Sequence, residues 1–222
     1  MNWHAYPSRS ALMAGVAAVI ADQLRAALAV GPATLSVPGG TTPGPVFDAL
    51  AQTDLDWSRV AVLLNDERWV DETSPRSNTR LLRARLLQGR AAAASLIPLY
   101  APAPEPEDRL DSLALAIAPH LPITVLLLGM GSDMHTASLF PGADRLAEAL
   151  APDAPILMAL RAAAAGEPRL TLTARVLTAA CHIHVLITGA DKRAALDRAL
   201  TLTPTEAPIR VVLDQAHVHW AE

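Results

Sequence analysis

A histidine two residues after an aspartate, in Leu128-Gly129-Met130-Gly131-Ser132-Asp133-Met134-His135, is the part of this sequence best suited to acid–base chemistry. A continuous apolar run ends at its glycines, so His135 is expected on a loop at the carboxyl end of a buried strand. An imidazole gains and loses its proton near neutral pH, and one so placed can serve as a general base. Asp133 either orients and polarises that ring or binds a substrate hydroxyl. A histidine that merely caps the following turn has the same local signature.

Three further stretches carry polar groups in the same relation to a strand. In Pro38-Gly39-Gly40-Thr41-Thr42-Pro43, paired glycines allow a tight turn and expose backbone N–H groups, and two hydroxyls follow just before a helix. That combination suits a phosphate, since a helix N-terminus favours an anion. It matches neither the dinucleotide fingerprint nor the GxxxxGK[ST] loop, so no nucleotide is implied; an ordinary strand-to-helix turn reads alike. Asn65-Asp66-Glu67-Arg68 is a dense polar cluster directly after Val60–Leu64. Its arginine can hold a carboxylate or stabilise an oxyanion, or the cluster is simply a solvated loop. Lys192 is the one lysine among 18 basic residues. It is expected in the first turn of a helix, a poor place for a cation unless an anion is near. Arg169 is a second candidate phosphate ligand.

The elements that must position these groups alternate between helix and strand. Helices are predicted over 11–30 (with Ser10 as N-cap), 45–51, 77–87 (capped by Ser77), 108–119, 173–180 and 191–200. Strands are predicted over 33–37, 60–64, 123–128, 156–160, 182–188, 209–213 and 218–220. The pattern implies a single α/β domain over residues 1–222, Rossmann-like, with a mostly parallel sheet and helices on both faces. Such sheets bind ligands beyond the carboxyl ends of their strands, where the Gly39, Asp66 and Gly131 loops all lie.

Composition narrows the function classes. Hydrophobic residues make up 51% of the 222 but aromatics only 4%, so the core is built from Ala, Leu, Val and Ile. A net charge of −4, without a long block of either sign, argues against nucleic-acid binding. The apolar stretch from Ala11 to Ile20 is short and gives way to Asp22 and Arg25, so neither a signal peptide nor a membrane span is expected, and the compartment is expected to be cytoplasmic. The lone cysteine, Cys181, excludes an internal disulfide and is expected as a small buried hydrophobe. His182 with His184, and His217 with His219, each share one strand face, but no carboxylate or cysteine set completes a site, so no metal is expected.

Taken together, Gly39-Gly40-Thr41-Thr42-Pro43, Asp66-Glu67-Arg68 with Ser77-Asn78, Gly129-Met130-Gly131 with His135-Thr136-Ala137-Ser138-Leu139-Phe140-Pro141-Gly142, Arg169-Leu170-Thr171-Leu172-Thr173 and Thr188-Gly189-Ala190-Asp191-Lys192 resemble the 6-phosphogluconolactonase family. The resemblance runs from about residue 30 to residue 200. It implies a fold of the sugar-phosphate isomerase and deaminase type, no cofactor, and a small phosphorylated sugar lactone as partner of a monomer or homodimer. It also implies roles: Gly39, Gly40, Thr41, Thr42, Arg169 and Lys192 for the phosphate, Arg68 for the sugar-acid portion and His135 for activating water. Asp133 and Asp66 join His135 and Arg68 as catalytic candidates. Two stretches depart from the family pattern. Met134 stands where a glycine is usual, and Pro38 and Thr41 replace serines. A Cβ at 134 disfavours positive φ and is expected to bear on the His135 loop. Glucosamine-6-phosphate deaminases resemble the chain in the glycine loop but carry Asn-Glu-Pro after the corresponding histidine, where this chain has Leu139-Phe140-Pro141. A non-catalytic sugar-phosphate sensor is the remaining alternative.

Overall fold

The computed structural model describes residues 1–163 and 165–222. In chain order the elements are β1 (Asn2–Ala5), α1 (Arg9–Leu28), β2 (Ala33–Val37), α2 (Gly44–Ala51), β3 (Val60–Leu64), β4 (Asp66–Arg68), α3 (Asn78–Arg85), β5 (Ser95–Ile97), α4 (Leu110–Ile117), β6 (Val125–Gly129), α5 (Leu146–Leu150), β7 (Leu157–Leu160), β8 (Arg169–Leu172), α6 (Ala174–Thr178), β9 (His182–Thr188), α7 (Ala190–Ala199), α8 (Arg210–Leu213) and β10 (His217–Ala221).

Seven strands form a sheet in the order β1-β10-β9-β6-β2-β3-β5, with every neighbouring pair parallel. Its central strands are almost continuously apolar because helices cover the sheet: all five residues of β2 and of β3 are buried. From β2 the chain winds outward through β3, and from β6 it winds the other way through β9. Their following loops therefore diverge and leave a crevice at the carboxyl edge.

The helix α1 packs its apolar stripe on this sheet. Leu12, Val16, Ile20 and Leu24 recur every fourth residue and are all fully buried, each contributing about 1.5–3 kcal/mol. Its N-cap is Ser8, whose hydroxyl accepts from Ala11 N–H at 3.1 Å, not Ser10. The helix thus begins and ends two residues before the predicted span of 11–30. By length and hydropathy it is long and apolar enough to cross a membrane, but its buried face belongs to the core.

A second, three-stranded antiparallel sheet, β4-β8-β7, stands over the crevice. Its register pairs Asp66 with Thr171 and Arg68 with Arg169. Asn65, fully buried between β3 and β4, ties the two sheets together. It accepts from the Ser36 hydroxyl (2.6 Å), donates to Leu127 C=O (2.7 Å), and its own carbonyl accepts from Leu172 N–H (2.9 Å).

Several elements differ from expectation. Residues 209–213 do not form a strand: Arg210–Leu213 is a short helix. Ile209, Val212, Leu213 and Ala216 are buried at helical spacing, and a short apolar run does not by itself distinguish the two forms. The strand near 156–160 runs in the antiparallel sheet, paired with β8. The strands β1, β4, β5 and β8 lie outside the predicted set: three are polar, charged or very short, and β8 begins at an arginine. Cys181 is exposed rather than buried, because it precedes the first residue of β9.

Candidate active site

The loop after β6 is shaped by its own hydrogen bonds. Gly131 N–H donates to His135 C=O (2.9 Å), Met134 N–H to Gly131 C=O (3.0 Å) and the Thr136 hydroxyl to Gly129 C=O (2.9 Å). The turn brings Asp133 Oδ1 to 2.6 Å from His135 Nδ1, and the same oxygen accepts from His135 N–H at 3.2 Å. Gly131 is needed there: a Cβ would lie 2.2 Å from His135 Nδ1 and 2.3 Å from Asp133 Oδ1. Met134 adopts the left-handed conformation that a glycine takes more easily, at φ 67°. Its Cβ makes that cost about 1–2 kcal/mol. Met134 C=O accepts from Ile209 N–H (3.1 Å), so α8 supports the turn from behind.

The hydrogen bond to His135 is the main reason that the Asp133 carboxyl is held below its usual range. An ionised carboxylate accepts, so Nδ1 donates and Nε2 is the basic nitrogen. The imidazole packs on Phe140, ring centroids 4.2 Å apart.

His135 lines a cavity of about 430 Å³ at the carboxyl edge of the sheet, together with Gly39, Gly40, Thr42, Asp66, Arg68, Arg169 and Lys192. Asp133 stands behind the histidine. Thr41 is exposed and lines a neighbouring depression beside Arg9. Asn78 and Phe140 are lining residues that sequence reasoning assigned no role.

The cationic wall has three sources. Arg68 and Arg169 face each other across β4 and β8, an arrangement of like charges that destabilises the ladder unless an anion or acid intervenes. Asp66 does so in part: its Oδ2 lies 3.9 Å from Arg169 Nη1 and accepts from the Ser138 hydroxyl at 2.5 Å. Burial pushes the Arg169 guanidinium below its ordinary value, against the pull of Asp66. Arg169 also lies over the Phe140 ring at 5.8 Å and donates to Ala165 C=O. The Nε–H groups of both arginines are buried and make no hydrogen bond among the described residues. Lys192 enters from the first turn of α7, after Gly189 at φ 84°. That turn is pinned by Trp220, whose indole N–H donates to Gly189 C=O at 3.0 Å.

Among the described residues no group of three or more His, Cys, Asp or Glu is arranged to hold a metal ion. What the cavity offers is a basic nitrogen backed by a carboxylate, in company with three cations. That set suits acid–base chemistry on an anionic substrate.

Comparison with known proteins agrees in sequence and in fold. Residues 7–220 match the family described as glucosamine-6-phosphate isomerases/6-phosphogluconolactonase. The chain is 47% identical to the 6-phosphogluconolactonase of Mesorhizobium japonicum (99% of this chain, 95% of that protein) and 41% identical to that of Rhizobium meliloti (99% and 98%). A crystal structure of a 6-phosphogluconolactonase from Shewanella baltica superposes with a TM-score of 0.96 at 34% identity, covering 100% of this chain and 98% of that one. A glucosamine-6-phosphate deaminase shares the fold, with a TM-score of 0.83 at 15% identity over 100% and 98% of the two chains. The chain belongs to the 6-phosphogluconolactonase family, within the wider group of glucosamine-6-phosphate isomerases and 6-phosphogluconolactonases.

Proposed function

We propose that this protein hydrolyses 6-phospho-D-glucono-1,5-lactone to 6-phosphogluconate, the lactone-opening step of the oxidative pentose phosphate pathway, with His135 as general base. One observation carries the reading: His135, backed by Asp133 at 2.6 Å, lines the same cavity as Arg68, Arg169 and Lys192. The relatives' names point to the same substrate.

In this reading Nε2 of His135 takes a proton from water as its oxygen attacks the lactone carbonyl. Asp133 keeps the Nδ1 proton in place and stabilises the imidazolium that forms. Collapse of the tetrahedral intermediate breaks the bond to the ring oxygen, which receives the proton back from His135. Such acid–base help is worth about 10²–10⁴-fold. The amides of Gly131, Met134 and His135 are already engaged within their loop, which favours the Arg68 guanidinium as the oxyanion partner. Arg169, Lys192 and the Gly39, Gly40 and Thr42 positions of the glycine loop hold the phosphate.

The test is acid release from freshly made 6-phosphogluconolactone, measured against its spontaneous hydrolysis. Acceleration at micromolar protein is expected, with no ammonia released from glucosamine 6-phosphate. Absence of acceleration rejects the lactonase reading, and ammonia release replaces it with the deaminase.

A further inference from the structure

Glu67 is fully buried, and five donors surround its carboxylate. One oxygen, Oε1, accepts from Arg68 N–H and from Asn78 N–H, both at 2.8 Å. The other, Oε2, accepts from Thr79 N–H (2.7 Å), the Thr79 hydroxyl (2.8 Å) and the Ser77 hydroxyl (3.2 Å). No ion pair reaches it among the described residues. Every partner is a donor, so a carboxylate satisfies all five, whereas a carboxamide would set its own N–H groups against some of them.

The two groups on Oε1 are both walls of the cavity. Arg68 lines it from β4 and Asn78 from the start of α3. Asn78 in turn donates from Nδ2 to Asp66 C=O (3.1 Å), and its amide lies so close to Gly39 that a Cβ there would sit 2.0 Å from Oδ1. A single carboxylate oxygen thus sets the backbone of an arginine and of the residue against which the glycine loop rests. The His135 loop shares no hydrogen bond with Glu67 among the described residues.

We propose that Glu67 is a positioning residue for the anion-binding wall, acting through Arg68 and Asn78 rather than on the reacting atoms. The proposal rests on the lactonase reading for the identity of the anion. Its test is Glu67→Gln, with steady-state kinetics on 6-phosphogluconolactone and calorimetric binding of 6-phosphogluconate. KM and the product Kd are expected to rise about tenfold, the loss of roughly one charged hydrogen bond. The value of kcat should fall by no more than about tenfold, through Arg68 as oxyanion partner, because the base itself is positioned independently. Thr79→Val, which loses a hydroxyl on Oε2 and leaves both Oε1 bonds, should lower the melting temperature and leave KM and Kd within about twofold.

A fall in kcat with unchanged KM and Kd would mean that Glu67→Gln only reduces the folded fraction, and the proposal fails. It fails equally if Thr79→Val shifts Kd as much as Glu67→Gln does, or if neither variant shifts it. If Glu67→Gln does not fold, Glu67→Asp takes its place with the same expectations. Should the wild type bind 6-phosphogluconate without accelerating lactone opening, the lactonase reading falls, and the Kd comparison still judges Glu67.

Discussion

His135 sets its imidazole against a carboxylate at the mouth of a cavity, while His184 and His219, on neighbouring strands of the same sheet, set theirs against each other. In the second group the hydrogen bonds form one chain: Tyr6 OH to His219 Nδ1 (3.0 Å), His219 Nε2 to His184 Nδ1 (2.9 Å) and His184 Nε2 to Gln23 Oε1 (2.8 Å). Since Gln23 Oε1 can only accept, a single proton order satisfies the chain, with both rings neutral and Tyr6 donating. An added proton on His184 Nδ1 would set donor against donor, and one on His219 Nδ1 would require the Tyr6 hydroxyl to turn and accept. His4, which bonds His217 at 2.9 Å and stacks on His219, together with His217 and His182, adds repulsion to any such charge. Burial first, then these neighbours, lowers His184 to about 3 and His219 to about 4. The same residue type is thus suited to carry a proton where an acid backs it and solvent reaches it, and is a fixed structural dipole where neither holds.

The comparison can be broken most sharply at Asp133. Asp133→Asn is expected to lower kcat about 10²–10⁴-fold with little change in KM, because an amide donor at that place favours the wrong tautomer. An unchanged kcat in steady-state assays would assign Asp133 to the substrate instead.

Next in size is acid unfolding. Neutral in the fold, His184 and His219 take up protons on unfolding once the pH drops below their ordinary value near 6.5. Their contribution is therefore complete above pH 6.5 and is lost as pH falls towards 4 and then 3, about 2 kcal/mol for each ring by pH 5. Between pH 7 and 5 the wild type should lose roughly 10 °C more in melting temperature than the His184→Gln/His219→Gln variant. Parallel melting curves would show that the cluster is not held neutral. The double variant should keep wild-type kcat.

Lys192→Ala tests the cations that share the cavity with His135. It should raise KM about 10–100-fold through a lost charge-assisted contact, with a smaller effect on kcat. Equal effects on phosphorylated and unphosphorylated lactones would remove Lys192 from the phosphate subsite. The smallest expected effect is at Met134, whose backbone already sits where a glycine would. Met134→Gly relieves strain but loosens the unfolded chain, so stability should move by under about 1 kcal/mol, and kcat should stay within about twofold. A several-fold gain in kcat would mean that the side chain displaces the His135 loop.

The glycine loop, the His135 segment and Lys192 were legible in the sequence because each follows a strand whose apolar run is unmistakable. Arg169 was legible as a residue but not as a neighbour of Arg68. That proximity depends on antiparallel pairing between two short strands, one of them the charged triplet Asp66-Glu67-Arg68, which has no strand signature of its own. Glu67 escaped notice for the same reason, since its burial depends on donors 10 to 12 residues away at Ser77, Asn78 and Thr79. The buried histidine chain joins residues as far apart as Tyr6 and His219, which sequence spacing cannot bring together.

The most direct test of the central claim is acid release by His135→Ala, measured beside the wild type and spontaneous hydrolysis, on protein shown by calorimetry to bind 6-phosphogluconate. The account predicts a rate about 10²–10⁴-fold below wild type with product affinity retained. A variant that hydrolyses the lactone at the wild-type rate would contradict it.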